Sequence, residues 1–439
     1  MLTSLRLEHV GPSSALHIDL AERLNLFTGD NGLGKSFLLD VVWWALTRQW
    51  PQGINPVISG GRKAIPAPGK KARIRYSVRP MSGNTKKFSS AYDADSEQWK
   101  IKSDDRESGD GRRRPVKPGL IIYAMVDGSF ALWDPARNYW RNADKSTKPA
   151  FVFSPYELWN GQKIDGDTTC NGIIRDWAYW YKENGDDFAA LKKVLEILSA
   201  DLDETIKPGN LTRISVRDVQ DIPTIRMPYT GDDDEGVPII HASSAVKRII
   251  SMAYLLVWAW REHRRACETR NRISGGQTEK PASHITFIVD EIEAHLHPRW
   301  QRTIMRALYT AICSLTDNPQ IQLLISTHSP LVMAGCEDFF DVERDRWFDI
   351  DRDGQDVVLR AEAFSPKGTA AAWLISPAFD MASIRSPRAE RLIEEASQLL
   401  RSENATAEDL LRMKELIEKR FSSQKTASPP LGSIWQTRN

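Results

Sequence analysis

Hydrophobic positions along this chain change period several times, and each change marks an element. Residues 1–8 alternate apolar and polar side chains, as a half-buried strand does. Residues 24–28 form a short apolar run that reads as a buried strand, and residues 37–46 are apolar on nearly every side, as in a buried helix. Alternation returns at 73–78. Residues 120–126, 285–289 and 321–326 are nearly continuous apolar runs, rich in Ile, Leu and Val, typical of parallel strands covered on both faces. Helical spacing appears at 188–198 and in a long segment from Ser243 through Trp260, while 171–177 reads as a loop entering a helix. Trp347-Phe348 and residues 357–359 flank Asp353-Gly354, which predicts a hairpin. Residues 370–375 predict a short helix, and 387–401 and 407–420 predict two amphipathic ones.

Together these predict an α/β fold, a mostly parallel sheet with helices on both faces. Residues 1–345 read as one head, with an antiparallel β lobe inserted at about 51–150 and a helical subdomain at about 155–240. Residues 346–421 read as the hairpin plus a helical C-terminal region, and 422–439, rich in Ser, Pro and Gln, as a disordered tail. An acidic loop at 231–236 separates two strands ahead of the long helix.

Composition narrows the class. The 439 residues suffice for two or three domains. Net charge is +1, so bulk charge selects no polyanion. Cys170, Cys267, Cys313 and Cys336 are far apart, which argues against a zinc site or a disulfide framework and suits a reducing cytoplasm. No stretch reaches the ~18 apolar residues of a membrane span, and the N-terminus lacks a signal peptide's apolar run. The 15 tryptophans are expected mostly in the core or at interfaces.

The chemistry is concentrated at strand ends. Gly29-Asp30-Asn31-Gly32-Leu33-Gly34-Lys35-Ser36 fits the phosphate-loop pattern without mismatch, between a predicted strand and a predicted helix. Its backbone N–H groups would cradle phosphates, Lys35 would reach the β- and γ-phosphates, and Ser36 would place its hydroxyl on Mg²⁺. Asp290-Glu291 ends the apolar run 285–289, where ligands bind in open α/β sheets. Asp290 would hold the metal and Glu291 would orient or deprotonate the attacking water. His328 follows the run 321–326 and could bond a γ-phosphate or that water; alone it would read as a structural histidine. Asp349 to Gly354 fails as an EF-hand loop, because Arg360 stands where a bidentate Glu is required.

In this order, the phosphate loop, the Asp-Glu strand and the His328 strand end resemble the ATP-binding-cassette superfamily, in its SMC/RecF-like branch, over roughly the first 340 residues. The resemblance implies ATP with Mg²⁺, and a signature segment ahead of the Asp-Glu strand. Ser243-Ser244-Ala245-Val246-Lys247-Arg248 matches it, so Ser243, with Ser244 beside it, would contact the γ-phosphate held by a second head. Ala245 and Val246 replace a usual glycine and polar residue, which implies slow turnover or ATP acting as glue. The same segment can instead be only a Ser-Ser cap on a buried helix. A second run, from Ile273 to Gln277, copies the signature more literally but leaves no room for its helix, and reads as a loop. Gln162 is the candidate for the glutamine that links lobe to γ-phosphate in that superfamily.

Residues 171–177, with the segment from Trp373 to Glu390, are similar to the ATPases of bacterial anti-phage systems, the PtuA subunit of Septu and its retron-associated relatives. That implies a homo-oligomer built on ATP-bridged head dimers, which restrains a separate HNH-type nuclease (PtuB-like), with no nuclease of its own. Two other readings stay open: a RecF or short-SMC type DNA clamp, and an ATP-sensing scaffold with little hydrolysis. Basic residues of the lobe (Arg62, Lys63, Lys70, Lys71, Arg73, Arg75, Lys86, Lys87, Arg112, Arg113, Arg114 and Lys117) suit phage or other DNA, or simply a solvated face, and one arginine of the lobe could instead face the ATP of its own or the partner head.

Overall fold

A computed structural model describes the chain except residues 82, 102–116, 139–149, 200–204, 229–235, 276–279, 355, 382, 402–405, 407, 409–410 and 417–439. The arginines at 112–114, nearly all of the acidic loop, the 422–439 tail, half of the 407–420 helix and Gly276-Gln277 of the second signature-like run therefore lie outside the described residues.

The main sheet has eight strands. Its parallel centre runs Asp345–Asp353, Leu24–Gly29, Gln320–Ser326, His284–Val289, Leu120–Ala124. Asp356–Glu362 closes one edge antiparallel, and Phe130–Trp133 and Phe151–Phe153 extend the other. The apolar runs seen in the sequence are these central strands, and their alternate residues feed two cores. Leu24, Leu26, Phe287 and Leu323 enter one core with the long helix Ser244–Ile273 and the helices Ile173–Glu183, Asp186–Leu198 and Pro298–Cys313. Phe27, Ile121, Ile288 and Leu324 enter the other, with the phosphate-loop helix Lys35–Thr47.

That helix is apolar all round because it is covered all round. One side meets the main sheet; the other meets a five-stranded antiparallel sheet ordered Ser13–Asp19, Leu2–Val10, Arg73–Val78, Lys86–Asp93, Gln98–Ile101. Leu5, Leu7, Ile74 and Tyr76 face it. Burying side chains of this size stabilises by about 1.5–3 kcal/mol each, so the helix is among the most firmly held elements.

The domain boundaries differ from those expected. The antiparallel lobe starts at residue 2 rather than 51, because Leu2–Val10 pairs with Arg73–Val78; the strands between 120 and 153 join the main sheet instead. The region 155–240 has helices up to Leu198, interrupted by a hairpin of Gln162–Ile164 and Asp167–Cys170, and then a three-stranded sheet of Lys207–Thr212, Ile222–Arg226 and Val237–Pro238. The head does not stop at 345. Asp345–Asp353 hydrogen-bonds along the phosphate-loop strand, and the compact unit runs to Phe379, with Asp380–Asn439 a second unit. Trp373 of the helix Ala370–Leu374 is fully buried, edge-on to Trp347 and tilted against Phe364, with its Nε1 donating to Glu337. Trp43, Trp133, Trp177 and Trp180 are likewise core residues. In the second unit, Pro387–Arg401 is a helix.

Candidate nucleotide-binding site

Gly29 ends its strand at φ 125°, and a Cβ there would lie 2.0 Å from the Ile350 carbonyl oxygen, so only glycine fits. Gly34, at φ 100°, caps the helix whose first residues are Lys35 and Ser36. Gly32 is also left-handed, Asp30 and Asn31 are open to solvent, and Leu33 packs on the lobe core. Lys35 is buried, and its Nζ donates to the carbonyls of Gly29 and Asp30 at 2.7 and 2.8 Å. Burial lowers its pKa, opposed by Glu291, Asp290 and Asp30.

The acidic pair ends the strand two places away, and the intervening strand supplies the link. Ser326 donates its hydroxyl to Asp290 Oδ1 at 2.7 Å and accepts the Glu291 N–H at 2.8 Å. Asp290 is buried, and its own N–H donates to the Ala124 carbonyl. Glu291 sits at φ 46°, a left-handed conformation uncommon for a side chain of this kind. Burial raises its pKa, the Asp290 charge raises it further, and Lys35 opposes both. His328 Nε2 stands 3.8 Å from Glu291 Oε1. Burial, with Lys35 beside it, lowers the His328 pKa to about 4, so at neutral pH an uncharged imidazole faces the carboxylate. Glu293 anchors this turn, accepting the His328 N–H and the Thr327 hydroxyl. Burial raises the Glu293 pKa.

Lys35, Asp290, Glu291 and His328 thus gather at one end of the sheet. A cleft of about 510 Å³ opens beside them, lined in part by Ser36, Asp40, Arg62, Tyr123 and Asp290. Asp40, Ser326 and Glu293 are the residues that sequence reading did not place here. Asp40 alone had a signal: it lies four residues after Ser36, on the same helix face.

Ser243 is the N-cap of Ser244–Ile273, its hydroxyl accepting the Val246 N–H. It does not share the cleft lined by Ser36 and Asp290. With Ala245 and Val246 it lines a separate cavity of about 370 Å³, together with His295, His297 and Trp300. Ile273 ends that same helix, so the second signature-like run opens no helix among the described residues. Gln162 is buried beside Glu157 and Val152, to which its Nε2 donates, and does not line the cleft.

The fold and this site define a P-loop nucleotide-binding head: a glycine loop between strand and helix, facing an acidic pair on a parallel strand. The family model described as "AAA domain, putative AbiEii toxin, Type IV TA system" matches residues 24–334, and the chain belongs to that family. A "Retron Vc95 probable ATPase" of Vibrio cholerae serotype O1 biovar El Tor is 48% identical over 47 residues, 11% of this chain and 8% of that protein. The "Septu protein PtuA" of Bacillus mycoides (strain KBAB4) is 43% identical over 51 residues, 12% of this chain and 6% of that one. The matched segments therefore span less than a tenth of either relative's length. A solved SMC head bound to the C-terminal winged-helix domain of ScpA aligns at 13% identity with a TM-score of 0.45, over 82% of this chain and 98% of that one.

Proposed function

We propose that this chain binds and hydrolyses ATP with Mg²⁺ as an SMC/RecF-like head, pairs with a second copy around the nucleotide, and in that state regulates a partner nuclease in anti-phage defence. One observation carries the nucleotide reading: the Ser326 hydroxyl bonds both Asp290 and the Glu291 backbone, holding an acidic pair in place near the phosphate-loop lysine. Asp290 and the Ser36 hydroxyl would hold Mg²⁺. Both are hard oxygen donors, and among the described residues no three His, Cys, Asp or Glu side chains gather to hold a metal alone, which suits an ion that keeps phosphate and water ligands. Bound Mg²⁺ would supply charge neutralisation at the phosphate oxygens. Lys35 would bind the terminal phosphates. Glu291, its basicity raised by burial, would take the proton of the attacking water. Neutral His328 would hydrogen-bond that water or the phosphate without adding charge.

Pairing of heads is favoured by where the signature segment lies. Ser243 is turned to a cavity of its own, away from this chain's phosphate loop, as a contact offered to another copy's nucleotide requires. The short identities to a retron ATPase and a Septu protein favour the defence role; an HNH-type, PtuB-like partner is what the sequence resemblance implies.

Lys35→Ala should abolish ATP binding in a fluorescent-nucleotide titration. Glu291→Gln should bind ATP and accumulate as a dimer in native mass spectrometry. Turnover unchanged by Glu291→Gln would refute its role as base. Purification with the neighbouring genes' products should bring down a small nuclease in fixed ratio; a lone dimer holding only DNA would sink the defence reading. A DNA clamp has one specific observation in its favour. On the lobe sheet, Arg6 lies directly opposite Arg75, and like charges placed so are unfavourable; Glu8 forms ion pairs with Arg6, Arg73 and Arg75, and its single charge neutralises only part of theirs. DNA binding by the protein alone, falling steeply with salt, would support the clamp.

A further inference from the structure

Asp40 is a buried carboxylate, 7% exposed, on the inner turn of the phosphate-loop helix. Three donors from two other segments converge on it. The Tyr123 hydroxyl donates to Oδ1 at 2.9 Å, the Arg62 backbone N–H donates to Oδ2 at 3.2 Å, and the Gly61 N–H also bonds the carboxylate. Tyr123 belongs to the strand beside the one ending in Asp290. Gly61 and Arg62 belong to an irregular segment crossing from the short helix Pro51–Ile54 toward the lobe. Gly61 turns at φ 69°, where a Cβ would meet the Pro51 ring at 2.5 Å, and the Arg62 Nε donates to the nearby Ser59 carbonyl at 3.1 Å. Ser36, Asp40, Arg62 and Asp290 all line the same cleft.

A carboxylate at this depth is costly unless it is used. Desolvation and the neighbouring Asp290 charge both push its pKa up, to about 7. What an apolar side chain cannot do is accept two backbone N–H groups from a loop with no secondary structure of its own.

We propose that Asp40 is a positioning residue: it fastens the Gly61–Arg62 backbone to the phosphate-loop helix, and so fixes Arg62 at the rim of the cleft that Ser36 and Asp290 line. The ligand it serves is the phosphate end of a nucleotide, and this part rests on the function proposed above. Arg62 then supplies a fixed positive charge at the rim of that cleft. Asp40 acts only through that loop and touches no reacting atom.

Two measurements test this. Hydrogen exchange on the nucleotide-free protein reads the clamp directly. The Gly61 and Arg62 amides are expected to exchange slowly in the wild type and at least about tenfold faster in Asp40→Ala, the helix core staying protected. Fast exchange at both amides in the wild type overturns the proposal, whatever the variant does. Titration with a fluorescent ATP analogue and Mg²⁺ reads the consequence. Asp40→Ala should weaken affinity about tenfold, and Arg62→Ala about as much, with the double variant no weaker than either alone. Asp40→Asn keeps a carbonyl oxygen for the Arg62 N–H, and should restore affinity to within about threefold of the wild type. Additive losses in the double variant, or an Asp40→Asn variant as weak as Asp40→Ala, would overturn positioning through Arg62. A wild type whose binding does not depend on Lys35 would instead refute the nucleotide reading, and the exchange data would still decide whether the clamp exists.

Discussion

Asp40→Asn offers a pH test whose sign and size follow from burial. In the unfolded chain the carboxyl ionises at its ordinary 3.8; in the folded protein it holds its proton until about pH 7. Between those values folding takes up a proton, so this group's contribution to stability falls as pH rises from about 4 to 7 and is flat above. Moving the pKa from 3.8 to about 7 corresponds to about 4 kcal/mol, all of it felt above pH 7. At pH 5 less than half of that cost is present. The carboxamide of the Asp40→Asn variant has no such titration. The variant should therefore gain about 2–3 kcal/mol on the wild type between pH 5 and pH 8. Titrating groups remote from Asp40 are shared and cancel in the difference. The assay is urea unfolding of both proteins, followed by tryptophan fluorescence at several pH values in that range; thermal melts should show the gap widening by several degrees. A gap that stays constant, or narrows toward pH 8, would refute the claim that Asp40 is a buried, reluctantly ionised acid.

Other consequences are as direct. Ser326→Ala removes the hydroxyl shared by Asp290 and Glu291, so turnover should drop about 10–100-fold while nucleotide binding without metal persists, as steady-state kinetics and titration in EDTA would show. Gly29→Ala drives a Cβ into the Ile350 carbonyl and should lower stability by more than about 2 kcal/mol or prevent folding, read by denaturant midpoint. Trp373→Ala empties a fully buried site against Trp347 and Phe364 and should destabilise the head by about 3–5 kcal/mol, although it lies in the region expected to be outside it.

Much of the α/β architecture was legible because its central strands are buried on both faces, and such strands announce themselves as unbroken Ile, Leu and Val runs. The phosphate loop, Asp290-Glu291 and His328 could be placed because each follows one of those runs directly. The hairpin around Asp353-Gly354 was readable from its turn, and Arg360 forms an ion pair with Asp351 there. What pattern could not give was which strands neighbour which. Leu2–Val10 and Arg73–Val78 are separated by the whole phosphate-loop helix in sequence, and their pairing, which moves the lobe boundary, is set by packing on that helix. Ser326 and Asp40 escaped for the same reason. A serine at a strand end and an aspartate in an apolar helix have no local mark of function; their partners, Glu291 and Arg62, come from elsewhere in the chain. Gln162 shows the converse, a plausible polar residue whose bonds keep it among Glu157 and Val152.

The close approach of Gly29 to the Ile350 carbonyl bears on how fast a nucleotide can be captured. A glycine-rich loop left to itself samples many shapes, and a ligand must then wait for, and forfeit, that freedom. Here the loop's first residue is wedged against a neighbouring strand, and its lysine is already bonded to two loop carbonyls. The ordering left to the ligand is confined to the exposed tip at Asp30, Asn31 and Gly32 and to the release of Lys35 from those carbonyls, so the discount on affinity is reduced. Capture should then proceed at a rate set by diffusion into the cleft, with release, not loop closure, deciding how long each nucleotide stays.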